Sequence, residues 1–397
     1  MESIKKELIT GKEYSFFGNG IAVCTFLTIM SQLPQLVDMG LSSSISRIVW
    51  IAFFAIVMLA KRGKVQIPTI GLLFLSGYTV FSLLFSAFTS RSYYGTSLFS
   101  SIILSFFIFV IGLGIGKDIT EKDLLRCGKT YVIASLVLAL TLYFTIYRTY
   151  DINNVLYGYR SKNSAGVILF TAALIAFIYG WKAKRRINNL INLAIIVFLL
   201  YMVLVMKVRA MIVCIPVVAL VAVVKAPFKR SIRMPIAVLC VGLLIALQNE
   251  EVYDLLVNNI LFANRGGDLV SASSGRTEQW AAFWGNLQGK EFIGDGAIEQ
   301  ESLILTAFLQ CGIPMGIAII AYAVWPLKCA IRCNKQDKSN DVFMLLVVAL
   351  VYFIDAIFEQ LAPFGPGARC FWLWLLFGII LAKDMDDPIM RKESKVE

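Results

Sequence analysis

The chain has 397 residues, 58% of them hydrophobic and 16% charged, where a soluble domain carries about 25% charged residues. With a mean hydropathy of +0.75 and apolar runs of about 20 residues recurring along it, each long enough to cross a bilayer, the composition excludes a soluble globular protein and predicts an all-α polytopic membrane protein. The net charge of +11 does not point to nucleic acid, because the cations lie between apolar runs, and the absence of histidine excludes histidine catalysis and the commonest metal ligand.

The first 15 residues, MESIKKELITGKEYS, are charged. The apolar run after them has no small-residue cleavage site, so the first helix is expected to be an uncleaved anchor. Twelve spans are predicted, near 16–36, 45–60, 66–88, 97–115, 130–147, 165–181, 189–206, 210–224, 234–248, 303–327, 342–361 and 370–382. They form one integral membrane domain, 1–397, with a long loop over 249–302 between the ninth and tenth spans. GLGIGK at 112–117 looks like a phosphate loop, but it closes an apolar span with no strand before it. Small residues that let helices pack closely are the better account. The eight cysteines imply no external disulfide framework, and Cys329 and Cys333 form a lone pair with too few ligands for zinc.

Further along, RTYDINNVLYGYRSKNSA (148–165) brings Tyr157, Tyr159, Arg160, Lys162 and Asn163 to the mouth of the sixth span. Arg160, Lys162 and Asn163 suit sugar or phosphate contacts, whereas tyrosines are common at any membrane interface. MKVRAM holds Lys207 and Arg209 in a hairpin too short to be solvated, and a charge held between apolar spans is a functional candidate. In the long loop, SSGRTEQWAAFWGNLQGK (273–290) predicts an amphipathic helix capped by Ser273 or Ser274 and ended by Gly289. Arg276, Trp280, Trp284 and Leu287 share one of its faces, with Phe283 beside them, and the tryptophans suit headgroup level. Arg276 stands at the positive end of that helix, which costs about 0.3–1 kcal/mol. Either a bound phosphate, or Glu278 or another carboxylate of the loop, offsets it. Glu299 and Glu301 precede the tenth span, as a base or as solvated carboxylates. Asp355 and Glu359 stand four residues apart near the end of the eleventh, with Arg369 placed to pair with Glu359 after a Pro/Gly turn. A structural ion pair and a catalytic group both fit that arrangement.

Charge alternates between the connections. Of the 37 Lys and Arg, 26 fall in one set of segments, together with both termini, and 11 in the other. The positive-inside rule makes the first set cytoplasmic. Eight of the 11 in the outer set are arginine (Arg47, Arg91, Arg148, Arg160, Arg209, Arg265, Arg276 and Arg369). Arginine's fixed fork of donors suits phosphate and carboxylate, so the enrichment favours an anionic ligand on the outer side.

Together these segments resemble the O-antigen polymerase and O-antigen ligase superfamily of bacterial membrane glycosyltransferases. YGYRSKNSAG resembles the family's first external motif, through Arg160 and Asn163. MKVRAM resembles its short arginine turn, although Val208 stands where the family often has serine. SSGRTEQWAAFWGNLQGKEFIGDG resembles its arginine-plus-tryptophan helix and glycine turn, through Gly275, Arg276, Trp280, Gly294 and Gly296. ESLILTAFLQCGIPMG matches a fourth motif at Ser302 and Gly312, with Glu301 in place of the family's histidine.

The resemblance implies an enzyme of the bacterial cytoplasmic (inner) membrane with its active site facing the periplasm or cell exterior. It implies an undecaprenyl-pyrophosphate-linked oligosaccharide donor, no cofactor, membrane lipid around it and a chain-length regulator protein as a partner in lipopolysaccharide or capsule synthesis. Arg160, Arg209 and Arg276 would face the leaving pyrophosphate, and Glu301 the acceptor hydroxyl. Asn163, Lys162, Tyr159, Arg265, Trp280, Ser302, Glu359 and Arg369 would complete the substrate contacts. The missing histidine favours a polymerase over a ligase that transfers the glycan to lipid A core. A non-enzymatic flippase or exporter of the same lipids is the other alternative. It would keep its ionisable residues near the bilayer midplane.

Overall fold

The structure, a computed structural model, describes residues 15–89, 96–150, 158–180, 186–227, 248–254, 258, 275–296 and 298–384. All regular elements among them are helical: α1 (Phe16–Met30), α2 (Pro34–Asp38), α3 (Ser42–Ala60), α4 (Thr69–Thr89), α5 (Ser97–Ile115), α6 (Glu121–Thr145), α7 (Lys162–Gly180), α8 (Arg186–Val205), α9 (Arg209–Lys225), α10 (Glu250–Tyr253), α11 (Arg276–Leu287), α12 (Leu303–Gln336), α13 (Asn340–Phe358) and α14 (Phe371–Asp384), with one 3-10 turn at Tyr147–Thr149. Eight of these helices (α3 to α8, α12 and α13) are long and apolar enough to cross a membrane, the mark of a polytopic helical membrane protein. The expected span at 234–248 lies outside the described residues, apart from its last position.

The expected 97–115 span is α5 residue for residue. The expected 130–147 span begins nine residues earlier, at Glu121. Its charged first turns read as a loop, but Thr120 and Asp123 close a capping box that starts the helix there. The expected 16–36 span stops at Met30, and Pro34 opens the separate helix α2.

Helices α5, α7 and α13 are buried on most sides, while α3, α4 and α8 bury one stripe and expose the rest. That outer surface is one a bilayer would cover. The most extensive contact between helices among the described residues joins α5 to α14. A Cβ on Gly112 would come within 2.5 Å of the Leu375 carbonyl oxygen, and one on Gly116 within 2.6 Å of the Ala382 methyl. GLGIGK is therefore a packing surface, on which small residues let two backbones approach.

Helix α12 is broken. Gly312 adopts φ 74° and ψ 175° inside it, and Pro314 follows with no N–H to give. The break frees backbone groups, and residues 291–296 take them up. Asp295 N donates to Leu309 O at 2.8 Å, Gly296 N to Gln310 O at 3.1 Å, and Ile313 N to Glu291 O at 2.6 Å. Gly294 and Gly296 also have positive φ. A Cβ on Gly312 would lie 2.5 Å from the Phe292 carbonyl carbon, and one on Gly294 would strike the Gln310 backbone. Three glycines of two separate motifs therefore meet at one junction. It lays the segment before α12 along that helix. Helix α11 adds Phe283 and Leu287, which pack on Leu305 and Leu309.

Gly312→Ala is expected to lower the thermal midpoint of detergent-purified protein clearly, since its conformation costs a non-glycine residue about 1–3 kcal/mol before the clash. Gly285→Ala, in α11 with open space around it, is expected to be neutral or stabilising by up to about 1 kcal/mol. Equal midpoints for G312A and wild type would contradict the junction.

Candidate functional site

The helices alternate in direction. Lys61 pairs with Asp118, Tyr179 donates to Asp341 and Arg332 pairs with Asp384 at one end of the bundle. The starts of α7, α9, α11 and α12 and the end of α13 share the other. There a cavity of about 190 Å³ is lined by Lys162, Asn163, Lys207, Val208, Arg209, Ala210, Arg276, Glu301, Asp355, Phe358 and Glu359.

Each wall has a local cause. At the end of α8, Lys207 N donates to Leu204 O at 2.9 Å and Val208 N to Val203 O at 3.3 Å, the pattern of a Schellman cap. That cap normally uses glycine, but here Lys207 holds φ 52°, a conformation that costs about 1–2 kcal/mol. Lys207 is buried, and Lys162 Nζ donates to its carbonyl at 3.4 Å. Helix α9 starts two residues later at Arg209, α7 starts at Lys162 and α11 at Arg276. Three positive helix ends, each opening with a cation, therefore face one space.

Arg276 is held from inside the protein. Its Nη2 lies 3.0 Å from Glu301 Oε2 and donates to Phe358 O, at the end of α13, at 3.1 Å. Its guanidinium covers the Phe358 ring at 5.8 Å. Glu301 thus supplies the offset that the helix end demands, and its own backbone N donates to Gln279 Oε1 at 3.1 Å. The buried Arg276 Nε has no hydrogen-bond partner among the described residues. Gly275, at φ 79°, occupies the cap position of α11, with no side-chain cap; Ser273 and Ser274 lie outside the described residues. Leu287 shares the face with the tryptophans as expected but is buried where they are exposed. It turns into the α12 contact with Phe283, because residues 283 and 287 lie along the middle of that face, while Trp280 and Trp284, toward its edge, stay exposed.

Beneath the cavity lies a buried ion pair. Arg369 Nη2 is 3.0 Å from Asp355 Oδ2, both side chains 1% exposed, while Arg369 Nη1 is 4.0 Å from Glu359 Oε2. The expected Arg369–Glu359 pairing is therefore secondary. Asp355 lies one helical turn deeper and meets the guanidinium first. Burial opposes the charge on Arg369, but its acidic neighbours, Asp355 foremost, outweigh burial and hold its pKa above the ordinary arginine value. Asn163 Nδ2 donates to Glu359 Oε1 at 2.6 Å and ties α7 to the end of α13.

Of the expected site residues, Lys162, Asn163, Arg209, Arg276, Glu301 and Glu359 line the cavity, and Arg369 supports it from below. Arg160 is exposed and outside it. Tyr159 is buried and donates to Gln32 O at 2.7 Å, a tie to the end of α1. Ser302 is buried at the start of α12, its hydroxyl without a partner among the described residues. Trp280 is 43% exposed and does not line the cavity. Tyr157 and Arg265 lie outside the described residues. Lys207 and Asp355 line the cavity beyond the expected contacts. Their signals were a lysine in an unsolvated hairpin and a carboxylate one turn before Glu359. No protein-family model matches the chain, and no curated protein matches it.

Arg369→Met leaves Asp355 without its partner and is expected to cost about 3–5 kcal/mol. The double change Asp355→Leu with Arg369→Met is expected to recover most of that loss in thermal midpoint. A single variant as stable as wild type would show that the pair does not hold this end together.

Proposed function

We propose that the protein is a membrane glycosyltransferase, a polysaccharide polymerase that joins polyprenyl-pyrophosphate-linked oligosaccharide repeats at the outer face of a bacterial cytoplasmic membrane. The observation that carries the reading is the gathering of Lys162, Lys207, Arg209 and Arg276 with three carboxylates in one cavity. It lies at the end of the bundle where the connections are poor in lysine and rich in arginine.

In this reading the acceptor hydroxyl of one lipid-linked repeat attacks the anomeric carbon of another. The pyrophosphate leaves with the bonding electrons. Arg276 and Arg209, with Lys207 behind them, face the charge that develops on it. Helix N-termini supply further N–H groups. At about 190 Å³ the cavity is smaller than the roughly 300–1,000 Å³ of drug-sized sites. It suits a pyrophosphate and the reacting carbon, so the glycan extends out over the loop and the lipid tail into the bilayer. Exposed Trp284 and Trp280 on α11 suit the headgroup layer beside it. The position of the cavity at one end favours an enzyme over a transporter, which needs a midplane site open to both sides. Glu301 in the histidine position favours a polymerase over a ligase.

Purified protein with a lipid-linked repeat is expected to form a polymer ladder, and Arg209→Ala and Arg276→Ala each to slow it about 10²–10³-fold. Full laddering by both variants would sink the charge-stabilising roles. Product made only on added lipid A core would replace the polymerase with a ligase, and no chemistry with either acceptor would leave the transporter. Lys207→Gly suits the left-handed backbone and removes the ammonium. It is expected to melt no lower than wild type and to gain less midpoint from inorganic pyrophosphate. An equal gain would remove Lys207 from the anion site.

A further inference from the structure

Three carboxylates reach the cavity, and the structure gives each a different surrounding. Asp355 is 1% exposed with its Oδ2 against Arg369. It lines the cavity, but its Oδ2 is committed to that guanidinium. Glu301 has its Oε2 on Arg276, the cation set against the leaving group, and its side chain is 53% exposed. Water competes there for any proton.

Glu359 differs from both. It is the residue at which α13 ends, with extended backbone at φ −135° and ψ 129° that carries its side chain off the helix. Asn163 holds Oε1, which fixes the carboxylate plane. Oε2 stays 4.0 Å from Arg369, beyond hydrogen-bond reach, because that guanidinium is already closed on Asp355. The side chain is 22% exposed, partly shielded yet open to the cavity. A base needs an oriented oxygen with an open lone pair near the reacting atoms, and among the described carboxylates lining the cavity this arrangement occurs at Glu359.

We propose that Glu359 is the catalytic base of the transfer, a step that rests on the glycosyl-transfer reading above. The acceptor oxygen forms its bond to the anomeric carbon as the bond from that carbon to the pyrophosphate oxygen breaks. The electron pair leaves with the pyrophosphate. The hydroxyl proton passes to Glu359 Oε2 and then to water at the mouth. Glu301 then acts through Arg276, as its anchor.

The test is laddering by purified protein with a lipid-linked repeat, using Glu359→Gln, which keeps the shape, and Glu359→Ala, which leaves room for formate. Both are expected to be about 10²–10⁴-fold slower and to keep the wild-type gain in thermal midpoint from inorganic pyrophosphate. Added formate is expected to restore part of the rate of E359A and none of that of E359Q. Wild-type rates in either variant, a loss that formate does not restore, or loss of the pyrophosphate effect would each overturn the base while leaving the polymerase reading standing. A wild-type protein that makes no ladder would overturn that reading, and the base with it.

Discussion

A backbone N–H or carbonyl left unpaired inside a bilayer costs several kcal/mol, and this protein interrupts α12 where another piece of its own chain takes over the missing bonds. Residues 291–296 supply two donors to Leu309 and Gln310 and one acceptor to Ile313. Glycine is required on both sides, at Gly294 and at Gly312, because the two backbones touch where a Cβ would stand. The junction sets where the loop ends and α12 begins. Glu301 follows it by five residues and is thereby delivered to Arg276. The polar loop is not an ornament on an apolar bundle. Its last part is bonded into the bundle, and the cavity borrows one wall from it.

Charge follows the same rule of local settlement. Asp355 and Arg369 are both fully buried and close on each other. Replacing such a pair by apolar groups is often neutral, whereas leaving half of one is costly. The pair therefore says less about stability than about position. It ties the loop before α14 to α13, and it leaves Arg369 a second nitrogen 4.0 Å from Glu359, an ion pair without a hydrogen bond. Arg276 is settled likewise, by Glu301 and by the last carbonyl of α13. Each pairing fixes a charge at the cavity or beneath it, which is what electrostatic preorganisation demands of a site where charge develops.

Much of this was legible in the sequence because bilayer length, apolar runs and charge alternation are strong, local signals. Helix α5 was readable to the residue, since Thr96 caps it and the apolar run has no charge within it. Helix α6 was not, because its first turns are charged and only the Thr120–Asp123 box reveals that they are helical. The candidate site was legible as a set of segments, namely the start of α7, the α8–α9 turn, the start of α11, the approach to α12 and the end of α13. Who touches whom was not. Arg276 had several carboxylates within reach along the chain, and the choice of Glu301 depends on a loop that folds back through three glycines. Lys207 carried a visible signal in its unsolvated hairpin, but its left-handed backbone, in a position that calls for glycine, is a tertiary fact.

The two sides of the cavity are chemically unlike, and the difference follows from helix direction. Helices α7, α9 and α11 bring N-termini and leading cations, so their side of the space is positive twice over, by dipole and by side chain. Helix α13 brings a C-terminus, the negative end, and carries Asp355 and Glu359 in its last turns. Arg276 bridges the two sides by reaching from an N-terminus to the Phe358 carbonyl. A group-transfer reaction that expels an anion while taking a proton from a hydroxyl needs this separation: cations where the leaving group departs, a carboxylate where the nucleophile arrives. Antiparallel packing of helices around one opening produces it, so the topology of the bundle itself assigns the polarity of the site.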